Sequence, residues 1–131
     1  MYTRHATTMN ALQQYQQVKT DAGLEDANPH RLIQLLFEGG LERLASAKGH
    51  LQRGEIASKG EQIGKAIDII DGLRASLNEA AGGDLARNLD ALYDYMERRL
   101  LEANLKSDPV LIDEVAGLLH DVKEAWDSIG G

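Results

Sequence analysis

Residues 28–54, NPHRLIQLLFEGGLERLASAKGHLQRG, contain a complete set of helix signals. Asn28 offers a side-chain acceptor at an N-cap position, and Pro29 suits the first position of a helix. Gly54, next to Arg53, suits the left-handed cap that ends many helices. Between these ends, apolar residues recur every three or four positions, as on one face of a helix: Ile33, Leu36, Leu44, Ala47 and Leu51. The stretch therefore predicts one helix from Pro29 to about Arg53.

The same spacing returns three more times along the chain. It runs from Ile56 to the Gly82-Gly83 pair, from Leu85 to Ser107, and from Pro109 to Ile129, with Asp108 as the N-cap acceptor of the last segment. Helices of about 20 residues, each ~30 Å long and joined by short connections, fold back antiparallel. Runs that alternate apolar and polar residues, typical of strands, do not occur. The sequence predicts an all-α, antiparallel up-and-down four-helix bundle over residues 28–131.

Residues 1–27 differ from the rest of the chain. They are polar and rich in glutamine, with only a narrow apolar edge that includes Tyr15 and Val18. We predict a mobile N-terminal arm that contains a short helix and a hinge into the bundle. The arm would cover exposed apolar surface of the bundle while no partner is bound.

Composition excludes several classes of protein. The 131 residues carry a net charge of −7, all of it in residues 79–131. This negative charge repels the phosphates of nucleic acids. The chain has no cysteine, so thiol catalysis and cysteine zinc sites are excluded, and a reducing compartment such as the cytoplasm is expected. Neither a signal peptide nor a membrane span is visible in the hydropathy pattern.

We expect no enzyme, no cofactor and no metal. A four-helix bundle holds two metal ions through Glu-x-x-His pairs, because residues three apart share a helix face. The residues three before His30, His50 and His120 are instead Ala27, Ala47 and Gly117.

One alternative from another class stays open. An exposed helical histidine followed by a lysine is typical of histidine phosphotransfer modules, and His120 with Lys123 matches half of that pattern. Glu124 and the nearby acids Asp121 and Asp127 would disfavour a phosphoryl group there.

Three of the predicted helices carry more large apolar residues than their inward stripe holds. At ~100° per residue, Leu35 lies about 140° from the stripe of its helix and Leu41 about 100° on the other side. Ile69 and Tyr95 lie about 100°, and Leu101 about 140°, from theirs. Grooves for an amphipathic partner helix would explain this surplus. Scattered exposure, or a surface through which a helical module dimerises, would explain it as well.

Glycines inside the predicted helices support the groove. Each costs roughly 1 kcal/mol relative to alanine, so its presence needs a reason. We interpret Gly60 and Gly64 as sites of close packing within the bundle. Gly39, beside Leu35, is interpreted as an opening for a docking partner.

Four segments together resemble one known family. They are ANPHRLIQLLFEGG (27–40), KAIDIIDGLRASLN (65–78), GGDLARNLDALYDYMERRLLEAN (82–104) and EVAGLLHDVKEAW (114–126), and the likeness covers about residues 10–129. In order and spacing they are similar to the flagellar secretion chaperone FliS family. The stretch LYDYMERRLLEAN (92–104) is the most specific. Phe37 stands where many relatives have tyrosine, which keeps the ring and removes one hydroxyl.

The resemblance implies a cytoplasmic chaperone that binds the disordered C-terminal region of flagellin, prevents its premature polymerisation and delivers it to the flagellar type III export apparatus. We expect a 1:1 complex, because a client that wraps one bundle leaves little room for a second client. Direct contact of the chain with the export apparatus, or with a regulatory protein, stays open. Residues on family motifs that are implied to bind the partner are Tyr15, Val18, Leu32, Leu36, Phe37, Ile70, Tyr93 and Tyr95. Helical geometry adds Leu35, Ile69 and Leu101 to this set.

Overall fold

A computed structural model describes residues 28–130, apart from the side chains of residues 79–81. The described chain forms four helices: α1 (Pro29–Gln52), α2 (Ile56–Ala75), α3 (Glu79–Lys106) and α4 (Pro109–Ile129). The predicted all-α architecture is therefore confirmed. The predicted arm, with Tyr15 and Val18, lies outside the described residues. Within residues 28–130, none of the helices combines the length and apolarity that crossing a membrane requires.

Both proline-led helix starts are confirmed. The Arg31 backbone N–H donates to Asn28 Oδ1 at 2.9 Å, and the Val110 N–H donates to Asp108 Oδ1 at 2.9 Å. Each cap satisfies one of the amide groups that a helix leaves unpaired in its first turn. At the far end of α1, Gly54 takes a φ of 75°, the left-handed conformation expected there.

The boundary between the second and third helices differs from the prediction. Helix α2 ends at Ala75 rather than near Gly82, and the Ser76 hydroxyl donates to the Leu73 carbonyl at 2.7 Å. This side-chain bond competes with continuation of the helix. Helix α3 then starts at Glu79, and Gly83, with φ 54° and ψ −127°, interrupts it. Gly83 therefore marks a kink near the start of α3 instead of a boundary between helices.

The helices form a closed ring. Each packs on its neighbours in sequence and α1 packs on α4, whereas in the described chain the backbones of α1 and α3, and those of α2 and α4, do not approach one another closely. The core at the centre of the ring is built from residues of all four helices: Leu36, Phe37, Leu44, Ile63, Ile70, Leu73, Met96, Leu100, Ile112, Val115 and Leu119.

Helices α2 and α3 are also joined by buried charge. The Arg74 side chain, 7% exposed, lies 2.9 Å from Asp90, 3.4 Å from Asp94 and 3.4 Å from Glu97. Near the other end of the pair, Lys59 is buried, and its Nζ donates to the Asn104 carbonyl at 2.9 Å. Because residue 74 meets residue 90 and residue 59 meets residue 104, the two helices run antiparallel.

Candidate functional site

A groove of about 410 Å³ lies between α1 and α2 and is called the α1–α2 groove below. Leu35 and Gly39 of α1 and Ile69 of α2 line its apolar end. Arg43 of α1 and Gln62 of α2 line its polar end. At that end the Arg43 Nη1–H donates to Gln62 Oε1 at 3.2 Å, so a hydrogen bond joins the two helices.

Two glycines shape the apolar end of this groove. A Cβ at Gly40 would lie 3.0 Å from Leu119 Cδ2, so the missing side chain lets α4 approach α1 closely. A Cβ at Gly39 would lie 3.5 Å from Ile69 Cδ1, in ordinary contact and directed to the groove side of α1. Gly39 thus keeps the groove open above Ile69, in agreement with the opening predicted beside Leu35.

Six of the predicted binding residues are buried among the described residues: Leu32, Leu36, Phe37, Ile69, Ile70 and Tyr93. The expectation that Ile69 lies away from the core is wrong, because its side chain is 4% exposed. The physical reason is that Gly39 and Gly40 leave room on α1 for Ile69 to enter. Leu41 also packs against the core, contrary to its predicted angle. A role of these side chains in partner binding remains a prediction.

The other predicted residues lie in two separate places. Leu35 is partly exposed in the α1–α2 groove. Tyr95 is partly exposed on α3, and Leu101, on the same helix, is 59% exposed. Because the α1–α2 groove is lined by residues of α1 and α2 only, Tyr95 and Leu101 do not form one continuous pocket with Leu35 within the described chain. Partner contacts at both places require a segment that extends around the bundle.

Tyr95 is held by a polar network between α3 and α4. Its hydroxyl donates to Glu114 Oε2 at 2.5 Å, and Arg99 Nε–H donates to Glu114 Oε1 at 2.8 Å. These two bonds lower the pKa of Glu114 below its ordinary value of 4.5. The bond to Glu114 also raises the pKa of the Tyr95 hydroxyl. The Tyr95 ring is therefore fixed on the surface by contacts within the bundle.

The interpretation of the other helical glycines is partly corrected. A Cβ at Gly60 would lie 3.5 Å from the Asn104 side chain, as close packing between α2 and α3 predicts. A Cβ at Gly64 would meet nothing within 4 Å. Packing within the described bundle therefore does not explain Gly64.

Two features of this surface were not recognised from the sequence. The first is the polar end of the α1–α2 groove, because only the packing of the helices brings Arg43 to Gln62. The second is an apolar group at the end of the bundle that holds the α3–α4 turn, where Leu105 is 85% exposed and Ile56 and Val110 are also exposed. These residues lie in terminal turns, where a helical angle says little about burial.

The surroundings of His120 do not favour phosphotransfer. The ring is exposed, with Nδ1 3.9 Å from Asp121 and Nε2 4.0 Å from Glu124. Lys123 Nζ donates instead to Asp127 at 2.7 Å. The carboxylates that surround the ring would repel a phosphoryl group. His120, Asp121 and Glu124 lie close enough together to hold a cation, but all three are exposed and no other group of the described residues supports them.

The fold and the groove define a class: an antiparallel four-helix bundle with a partly apolar groove on its outer surface. The family model described as "Flagellar protein FliS" matches residues 10–131. The chain belongs to the FliS family.

Curated relatives agree with this assignment. The chain is similar to "Flagellar secretion chaperone FliSB" of Pseudomonas aeruginosa, with 59% identity over 92% of this chain and 96% of the relative. It is similar to "Flagellar secretion chaperone FliS" of Salmonella typhimurium, with 46% identity over 93% of this chain and 91% of the relative. The Vibrio cholerae protein of the same description is 45% identical over 91% of this chain and 88% of the relative.

Proposed function

We propose that this chain is a cytoplasmic flagellar secretion chaperone. It binds the disordered C-terminal region of flagellin, prevents premature polymerisation and delivers this client to the flagellar type III export apparatus. The observation that carries the proposal is the α1–α2 groove, in which the partly exposed Leu35 and the open space at Gly39 lie above the buried Ile69 in a member of the FliS family.

The separation of Leu35 from Tyr95 and Leu101 supports an extended client. A short peptide in one groove would leave the α3 side chains uncovered, whereas a long disordered segment reaches both faces. Ordering such a segment costs several kcal/mol, which burial of apolar area at roughly 25 cal/mol per Å² offsets. Binding then needs no nucleotide hydrolysis.

A client that extends around one bundle predicts a 1:1 complex. Light scattering of the purified mixture measures this directly, and a particle of two chaperones and two clients would contradict it. The dimerisation alternative predicts a different result: the chain alone would then self-associate to saturation as its concentration rises.

Isothermal titration with a synthetic peptide from the C-terminal region of flagellin of the same organism tests the proposal. We expect saturable binding with one site per chain and a negative heat-capacity change, the sign of apolar burial. A peptide of the same composition in scrambled order is the matched control. Equal heats for both peptides, or no heat for either at each of two temperatures, would refute flagellin binding.

A further inference from the structure

The α1–α2 groove is polar at one end, and the two ends lie in a fixed order. Gly39 faces Ile69 at the apolar end, and Arg43 bonds Gln62 at the polar end. Gly39 and Arg43 are four residues apart on α1, so the ends are separated by about one helical turn, ~6 Å. A helix lying in the groove would meet both ends with side chains about one turn apart.

Arg43 is the positive charge at the polar end. Its side chain is half-buried and donates to the neutral amide of Gln62. Among the described residues it has no carboxylate within ion-pair distance, unlike Arg31, which lies 3.2 Å from Glu38. Arginine offers five N–H donors, of which the bond to Gln62 uses one. The remaining donors can bind a planar acceptor such as a carboxylate.

The outer edge of the groove has the opposite charge. Glu38 and Glu42 line it, one turn apart on α1. Glu38 is paired with Arg31, and Glu42 has no ion-pair partner in the part of the chain described. An acidic side chain of a partner is therefore repelled beside Glu42 and attracted on the inner side, beside Arg43 and Gln62.

The geometry points to an electrostatic selection rule for the client, and this inference rests on the proposed function. The α1–α2 groove takes a helical segment that carries a large apolar residue and, one turn away, an aspartate or glutamate. The apolar residue sits over Gly39 between Leu35 and Ile69, and the carboxylate accepts hydrogen bonds from Arg43. The charge fixes the register and direction of the client helix, which apolar contact alone leaves loose.

Reversal of the charge on both partners tests this rule. In titrations with the flagellin C-terminal peptide, Arg43→Glu should weaken binding by about tenfold or more, because a like charge then faces the client carboxylate. Each acid of the peptide that lies one turn from a large apolar residue is replaced in turn by lysine. One of these lysine peptides should bind the Arg43→Glu chain more tightly than the original peptide does. The same lysine peptide should bind the wild-type chain more weakly than the original peptide does.

Arg87→Glu is the matched control. The substitution makes the same change of charge on α3, where the Arg87 side chain is 60% exposed and pairs with Asp84 outside the groove. It should change affinity by no more than about twofold, the scale expected for an exposed charge. Arg43→Gln is the second variant if Arg43→Glu unfolds. It keeps an amide donor to Gln62, removes the charge, and should make binding less sensitive to salt than in the wild type.

The outcomes separate the two proposals. If Arg43→Glu and Arg87→Glu weaken binding equally, or if none of the lysine peptides restores it, the selection rule is wrong and flagellin binding stands. If the wild-type chain does not bind the flagellin peptide at all, the proposed function fails and the rule fails with it.

Discussion

His30 and Trp126 stack at the junction of the first and last helices. Their ring centroids are 4.6 Å apart at an interplanar angle of 14°, and Trp126 Nε1–H donates to the His30 carbonyl at 3.0 Å. This contact joins the first turn of α1 to the last turns of α4 and closes the ring of helices. The bond satisfies a donor that a partly buried indole would otherwise leave unpaired.

Replacement of Trp126 by phenylalanine keeps an aromatic ring and removes the N–H donor. We expect the free energy of unfolding to fall by at least about 1 kcal/mol, the usual net value of one hydrogen bond, because the smaller ring also loses packing against His30. Trp126 is the only tryptophan in the chain, so urea denaturation is followed by circular dichroism instead of fluorescence. An unchanged unfolding midpoint would show that the bond to the His30 carbonyl contributes nothing.

The buried ammonium group of Lys59 holds the end of α3. Lys59 is 2% exposed, and its Nζ donates to the Asn104 carbonyl at 2.9 Å and to Ser107 Oγ at 3.0 Å. Lys59→Met preserves most of the volume and leaves these acceptors unpaired, so a loss of roughly 2 kcal/mol is expected in urea denaturation. Lys106→Met, which removes an exposed amine from the same region, should cost much less. Equal losses would contradict the capping role.

The pH dependence of stability should include a contribution from Glu114. Hydrogen bonds from Tyr95 and Arg99 lower its pKa in the folded chain below 4.5. A lowered pKa means that the ionised form stabilises the fold, fully above pH 4.5 and less and less as the pH falls through the folded value. The stability difference between wild type and Glu114→Gln should therefore be largest near neutral pH and shrink on acidification, as measured by urea denaturation at each pH.

Glu42→Gln is the control for this substitution. Glu42 is exposed and has no ion pair with another described residue. Its removal should leave the free energy of unfolding at neutral pH close to that of the wild type. The assignment to Glu114 fails if both variants lower the free energy of unfolding by the same amount.

Leu35→Asp should weaken binding of the flagellin peptide while the melting temperature stays close to that of the wild type. The side chain is already partly exposed, so the charge enters the groove rather than the core. Titration calorimetry measures the affinity for the peptide, and a thermal melt measures the melting temperature. Unfolding of the variant would show that Leu35 supports the bundle itself. Tyr95→Asp is a less informative variant, because it would place a carboxylate beside Glu114.

Deletion of residues 1–18 should leave the bundle folded and raise its tendency to aggregate, since the predicted arm covers apolar surface. Circular dichroism reports the fold, and light scattering at increasing concentration reports aggregation. If solubility and affinity for the flagellin peptide both stay unchanged, the arm does not cover the binding surface.

Local signals predicted most of the fold. The caps at Asn28 and Asp108 and the left-handed Gly54 each depend on residues within one helical turn, and all three are present in the structure. The end of α2 was placed too late, because the apolar spacing continues through Leu77 while the Ser76 hydroxyl bonds the Leu73 carbonyl. Periodicity identifies a helix better than it identifies its last turn.

The candidate site was only partly predictable. The helical angle correctly placed Leu35 and Leu101 on the outer surface, because each residue lies far around its helix from the stripe of inward-facing side chains. The same argument failed for Ile69 and Leu41. An angle describes one helix alone, whereas a helix with two neighbours buries a wider arc than the central stripe.

The sequence by itself determined that four helices form, where α1, α2 and α4 begin and which face of each helix is mainly apolar, since these properties depend on neighbours three or four residues apart. Only the tertiary structure decided how the helices share their surface. It brought Arg43 to Gln62, let Ile69 sink beside Gly39, and separated Leu35 from Leu101. Those relationships join residues distant in the chain, and they depend on the size of every side chain packed between them.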